Sequence, residues 1–176
     1  MGEFDRRKIL NELLNGELRA AHLYWQAAAW CAERHLEGCA EFLLTHADEE
    51  LSHMRKMLTF ILDNEMHVEF EELPAPKVDA ETLLDLFKLI LGHEGKVTDA
   101  IGRAVSRAQD AGDHGTFEFL QWFVMEQREE MKLFRHIVDR ITLIGDGPHA
   151  LFFADQEVTN IAAKTAAGAT PGPTAA

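Results

Sequence analysis

Glu50 and His53, in the stretch HADEELSHMRKM (residues 46–57), are residue types that bind metals or move protons, yet they stand where a buried helix should carry leucine. Leu43, Ala47, Met54, Met57 and Ile61 form one apolar stripe at helical period. Glu50 lies midway between Ala47 and Met54, and His53 is one turn further on. A carboxylate and an imidazole spaced i, i+3 face the same way. One helix can then grip one ion while its carboxylate bridges to a second.

The same intrusion recurs in each long periodic segment. Leu10, Leu13, Ala20, Tyr24, Ala28 and Cys31 make a stripe that Glu17 interrupts. Glu94 interrupts the stripe of Leu83, Phe87, Ile90, Val97, Ile101 and Ala104. Gln127 and Glu130 fill the gap between Phe123 and Phe134, in a stripe that continues to Ile137 and Ile141. Each intruder falls near mid-segment, so four antiparallel helices would bring them to one level. A buried, uncompensated carboxylate costs several kcal/mol. Solvation, pairing with bases and metal binding are the three compensations. Solvation accounts for a single stray acid among the 30 of this chain, but less well for four helices each carrying one. Pairing lacks partners, because no Lys or Arg sits on these stripes at that level. Metal remains. Four glutamates and one histidine, without thiolates, argue against structural zinc and suit a pair of iron ions.

Four segments must position these groups: roughly Asp5–Arg34, Gly38–Asn64, Ala80–Ala111, and a fourth from the turn AGDHGT to about Ile144. Each is about 40 Å long at about 1.5 Å per residue, a length typical of bundle helices. The short turns after the first and third segments make antiparallel pairs. Residues 65–79, EMHVEFEELPAPKVD, have no clear period and carry Pro74 and Pro76, so they form an extended crossover. A short fifth helix follows GDGP, with Pro148 suited to its first position and Leu151, Phe152, Val158 and Ile161 as apolar surface. The chain divides into one all-α domain, 1–164, and a low-complexity tail, 165–176, expected to be disordered.

The composition sets further bounds. A formal charge of −13 disfavours nucleic acid and anionic membranes and favours a cationic partner. No apolar run is long enough to span a bilayer and no signal segment opens the chain, so the expected compartment is the cytoplasm. Cys31 and Cys39 read as reduced core residues.

These motifs resemble the bacterial non-haem ferritins. The resemblance runs from about Leu10 to Asn160 through LNGELRAAHLYWQ, FLLTHADEELSHM, FLQWFVMEQREEMKLF and LFFADQEV. It implies a ferritin-like four-helix bundle with one long crossover between the second and third helices, plus a short fifth helix. It also implies a site. Glu17, Glu50 and His53 correspond to ligands of a first ferroxidase iron, and Glu50, Glu94 and Glu130 to those of a second. Gln127 corresponds to a glutamine beside the centre. Glu49, Glu126, Glu129 and Glu130 correspond to a third iron site. Tyr24 and Trp122 correspond to aromatic residues next to the iron pair. His46, His93 and His136 match no ligand position and read as surface or satisfied core histidines.

The resemblance further implies oxidation of Fe(II) by O2 or H2O2, with ferric mineral stored in a homo-oligomeric cage of 24 subunits. Haem is not expected, because Leu51 occupies the position where bacterioferritin carries its haem methionine. The second E-x-x-H of many di-iron proteins is replaced by Gln127 and Glu130. Phe117 and Leu120 stand where animal ferritins line their three-fold channels with acids, which leaves the iron entry route unassigned. Two other readings compete: a stand-alone di-iron oxidase or peroxidase without mineral storage, and an acidic helical scaffold that binds no iron.

Overall fold

Residue choice at the helix ends fixes where each rod starts and stops. In the computed structural model, which describes residues 5–147 and 149–168, the elements are α1 (Arg6–Ala32), α2 (Glu37–Asp63), α3 (Leu83–Asp110), α4 (His114–Ile144) and α5 (Ala150–Gly168). Asp5 caps α1 by accepting from Lys8 N, and Asp113 caps α4 by accepting from Thr116 N. Thr82 and Asp85 form a reciprocal capping box, which starts α3 at Leu83 rather than at Ala80. Gly112 (φ 70°) and Gly145 (φ 70°) end α3 and α4 in the left-handed region that glycine enters without strain.

Helix α2 lacks a side-chain cap of its own at Leu36. The acceptor comes instead from α5, where Asp155 takes hydrogen bonds from Gly38 N (3.1 Å) and Cys39 N (2.8 Å). The fifth helix is therefore built into the start of the second. It extends past Lys164 to Gly168; Pro148 and residues 169–176 lie outside the described residues.

Packing follows the expected pairing, α1 on α2 and α3 on α4, with α5 against α2 and α4. Residues 66–80 connect the two pairs without regular structure. Two buried asparagines on α1 hold this crossover. Asn11 donates to His67 O (3.0 Å) and accepts from Glu69 N (2.7 Å); Asn15 donates to Glu69 O (2.8 Å) and accepts from Glu71 N (2.9 Å). A crossover without regular structure thus has these backbone groups satisfied by side chains.

The apolar core is divided in two. One cluster joins Tyr24, Leu43, Phe87, Phe134 and Ile137 with Val158 of α5; the other joins Leu10, Leu14, Met57, Ile61, Ile101 and Phe123. Along every bundle helix the division falls at the intruders: Glu17, Glu50 with His53, Glu94, and Gln127 with Glu130. Cys31 and Cys39 are buried free thiols in the first cluster. No helix of the described chain is long and apolar enough to cross a membrane.

Candidate metal centre

Helical periodicity aims the intruders inward, and the two apolar clusters exclude water above and below them. Glu17, Glu50, His53, Glu94, Gln127 and Glu130 are all buried. Glu17 of α1 and Glu50 with His53 of α2 each bring one ligand atom within 4.8 Å of the others. His53 Nδ1 lies 3.3 Å from Glu50 Oε2. On the other helix pair, Gln127 Nε2 donates to Glu94 Oε2 (2.6 Å) and to the Glu94 carbonyl (3.2 Å). Across the bundle, the Tyr24 hydroxyl of α1 donates to Glu94 Oε1 at 2.6 Å. The Glu94 side chain is thereby fixed from two helices.

Electrostatically, the layer is under strain without a cation. Burial, then the neighbouring charge of Glu50, pushes Glu17 well above the usual carboxylate range. Burial pushes Glu50 to about 8, reinforced by Glu94, Glu130 and Glu49 and opposed by the hydrogen bond with Glu17. Glu130 also rises to about 8, first from burial and then from Glu94 and Glu49. The Tyr24 phenol is raised by burial and by Glu94. The ion-pair partners of Glu50 and Glu130 are imidazoles, His53 and His46, rather than lysine or arginine. Protons or divalent cations are what such a set can take up.

The remaining predicted residues lie around this layer. Glu49 is exposed, Glu126 half-buried and Glu129 exposed, on the α2 and α4 faces beside it. Burial raises Glu126, with Glu129 and Glu49 adding repulsion and His53 opposing it. For Glu49 the upward push of burial is outweighed by His46 and His53, so its carboxyl sits below the ordinary value. Trp122 is partly exposed; its ring meets His53 edge to face at 5.3 Å and carries the Lys56 ammonium 4.4 Å from its centroid. Tyr24 is fully buried.

One expectation is corrected. His46 is neither at the surface nor satisfied in the core. It is 7% exposed, and neither ring nitrogen makes a hydrogen bond. Its Nδ1 is 2.9 Å from Glu49 Oε2, and its Nε2 is 3.9 Å from Glu130 Oε2. His46, Glu49 and Glu130 form a second group able to hold an ion. The sequence signal was available: His46 is one helical turn before both Glu49 and Glu50, where a metal-binding face would continue. His93 is half-buried with an unpartnered Nε2, whereas His136 is exposed.

Comparison with known proteins agrees with this fold. The family model for the ferritin-like domain matches residues 7–144. A bacterial non-heme ferritin of Campylobacter jejuni is 43% identical over 155 residues, 88% of this chain and 93% of that protein. One from Escherichia coli O6:H1 is 37% identical over 152 residues, covering 86% and 92%. Among solved structures, an open pore ferritin from Archaeoglobus fulgidus superposes with a TM-score of 0.85 at 32% identity, covering 88% of this chain and 94% of that one.

Proposed function

We propose that this chain, which belongs to the ferritin family, oxidises Fe(II) at the buried carboxylate layer and stores the Fe(III) product as a ferric oxide mineral. Fe(II) is the substrate, and O2 or H2O2 accepts its electrons. The observation that carries the reading is the polar layer itself: four helices, two apolar clusters, and raised carboxyls at one level between them.

In this reading Glu17, Glu50 and His53 hold one Fe(II), and Glu50, Glu94 and Glu130 hold a second. Glu17, Glu50 and Glu130 give up protons as cations enter, because ligation favours the carboxylate over the acid that burial favours. Tyr24 and Gln127 orient Glu94 through their two 2.6 Å bonds. Glu49, Glu126 and Glu129 form, with Glu130, the next station on the way to the mineral. Tyr24 and Trp122 are placed to pass electrons or protons. The assembly is a hollow homo-oligomeric cage of 24 subunits, in the cytoplasm, without haem.

The test is aerobic addition of Fe(II) to the metal-free protein, with oxygen uptake and ferric absorbance followed together. Wild type should show a fast phase and then mineral growth in a particle of cage size on size-exclusion chromatography. Glu50→Ala and His53→Ala should each lose most of the fast phase. Parent rates in both variants would overturn the site assignment. A small oligomer that turns over peroxide without retaining iron would indicate the stand-alone oxidase.

A further inference from the structure

We propose that the cleft between α1, the crossover and α3 is a binding site for a phosphate group, free or carried on a small organic ester. The site lies outside the carboxylate layer, and nothing in it depends on the oxidation of iron.

The charge pattern points to an anion. The chain carries 30 acidic residues against 17 lysines and arginines, yet this cleft of about 410 Å³ reverses the balance. Arg19 of α1, Lys77 of the crossover, and His93 and Lys96 of α3 line it, and no carboxylate of the described residues does. Lys77 and Lys96 have no ion-pair partner among the described residues. Arg19 and Lys96 are close enough for their charges to be felt together at the His93 ring. Cations gathered round one cleft repel each other, and a bound dianion turns that repulsion into attraction.

The donors suit phosphate, and the principal one is held in place. Arg19 gives one N–H to Glu71, with Nη1 3.0 Å from Oε2, and keeps the rest of its guanidinium fork for a second acceptor. Glu71 is itself anchored, because its backbone N–H donates to Asn15 of α1 at 2.9 Å. Pro74 and Pro76 stiffen the crossover wall. Lys77 and Lys96 are exposed ammonium groups that meet a phosphate as point charges, and the half-buried His93 ring can add an N–H donor. Donors thus come from three elements, a set that the three oxygens of a phosphate match better than the two of a carboxylate. Leu23 and Leu89 add an apolar patch, which suits the organic part of an ester.

Equilibrium dialysis of radiolabelled inorganic phosphate against the iron-free full chain tests the site. Iron must be absent because ferric oxide binds phosphate by itself. In about 0.1 M NaCl, which screens diffuse attraction, wild type should bind one phosphate per chain with a Kd of about 1 mM or below. Arg19→Gln and Lys96→Gln should each weaken binding about tenfold, since each removes a charge-assisted bond. Lys88→Gln, on α3 but outside the cleft, should bind as wild type does. Phenyl phosphate as competitor identifies the source. Displacement at a lower concentration than unlabelled phosphate favours an ester, and equal or weaker displacement favours the free ion; both uphold the site. Absence of saturable binding, or a loss in Lys88→Gln as large as in Lys96→Gln, overturns it. Neither outcome touches the ferroxidase reading, whose test is the fast phase of Glu50→Ala and His53→Ala.

Discussion

The Tyr24 hydroxyl on α1 and the Glu94 carboxylate on α3 meet in a 2.6 Å hydrogen bond that crosses the bundle. Because Gln127 donates to the other oxygen of Glu94, protein groups on two helices hold both oxygens of this carboxylate. Tyr24→Phe keeps the ring stacked on Phe134, at 5.8 Å between centroids, but strips Glu94 Oε1 of its donor. In metal-free protein the buried oxygen should cost about 1–3 kcal/mol, seen as a Tm lowered by several degrees. Zn(II)-loaded protein should lose much less, since a bound ion takes over that oxygen. Equal losses in both states would mean that Glu94 does not ligate.

The raised carboxyls predict an unusual pH dependence. Burial pushes the Glu50 and Glu130 carboxyls up to about 8 in the folded chain, against an ordinary value of 4.5. Between those values the folded metal-free protein retains protons that the unfolded chain has released, so stability falls as pH rises through that window and levels off above it. The sign is opposite to that of a salt-bridged glutamate. Metal-free protein should show Tm declining from pH 4.5 to 8. Glu50→Gln with Glu130→Gln should flatten the slope, and loading with Zn(II) should abolish it and release protons at neutral pH. A metal-free profile that rises over the same range would contradict the burial of these charges.

Legibility in the sequence followed the range of each interaction. The bundle was readable because an apolar stripe is a local pattern, and the centre was readable because each acid broke its own stripe at mid-length. Glu17, Glu50, Glu94 and Glu130 could therefore be singled out without knowledge of their neighbours. His46 stands one turn before Glu49 and Glu50, which marks its face, but its burial against Phe42 and Phe134 depends on positions that no local pattern gives. Nothing local in the sequence marks Asn11 and Asn15 of α1. Their partners are backbone groups more than 50 residues away, on a segment with no periodicity to mark it. The cap that Asp155 places on α2 is likewise separated from its donors by 116 and 117 positions.

Those asparagines yield a prediction separate from the metal centre. Asn11→Ala or Asn15→Ala leaves crossover amides and carbonyls without partners, and each should cost about 1–3 kcal/mol. Hydrogen exchange at the Glu69 and Glu71 amides, which the two side chains accept from, should accelerate selectively. Arg19→Ala removes only a half-exposed ion pair to Glu71 and should change stability by less than about 1 kcal/mol. Unchanged exchange in the asparagine variants would show that the crossover is held by other contacts.

Gly38 is where α5 comes nearest to α2. A Cβ at this position would lie 2.9 Å from the Asp155 carbonyl oxygen and would collide with the Thr159 side chain. The threonine can rotate, but the carbonyl belongs to the helix and cannot. Gly38→Ala should therefore push α5 away as a unit, removing both the apolar contact of Val158 and the two caps that Asp155 gives to the start of α2. Asp155→Ala removes the caps alone and should cost about 1 kcal/mol. The glycine variant should be the worse of the two, with protease cleavage around residues 145–147 rising well above wild type. Rapid Fe(II) oxidation should survive in both, because the carboxylate layer lies on the far side of the Tyr24–Phe134 cluster from α5. A Gly38→Ala protein as resistant to protease as wild type would mean that α5 is held by the Arg140–Glu157 pair, at 2.7 Å, and its neighbours on α4 rather than by its fit to α2.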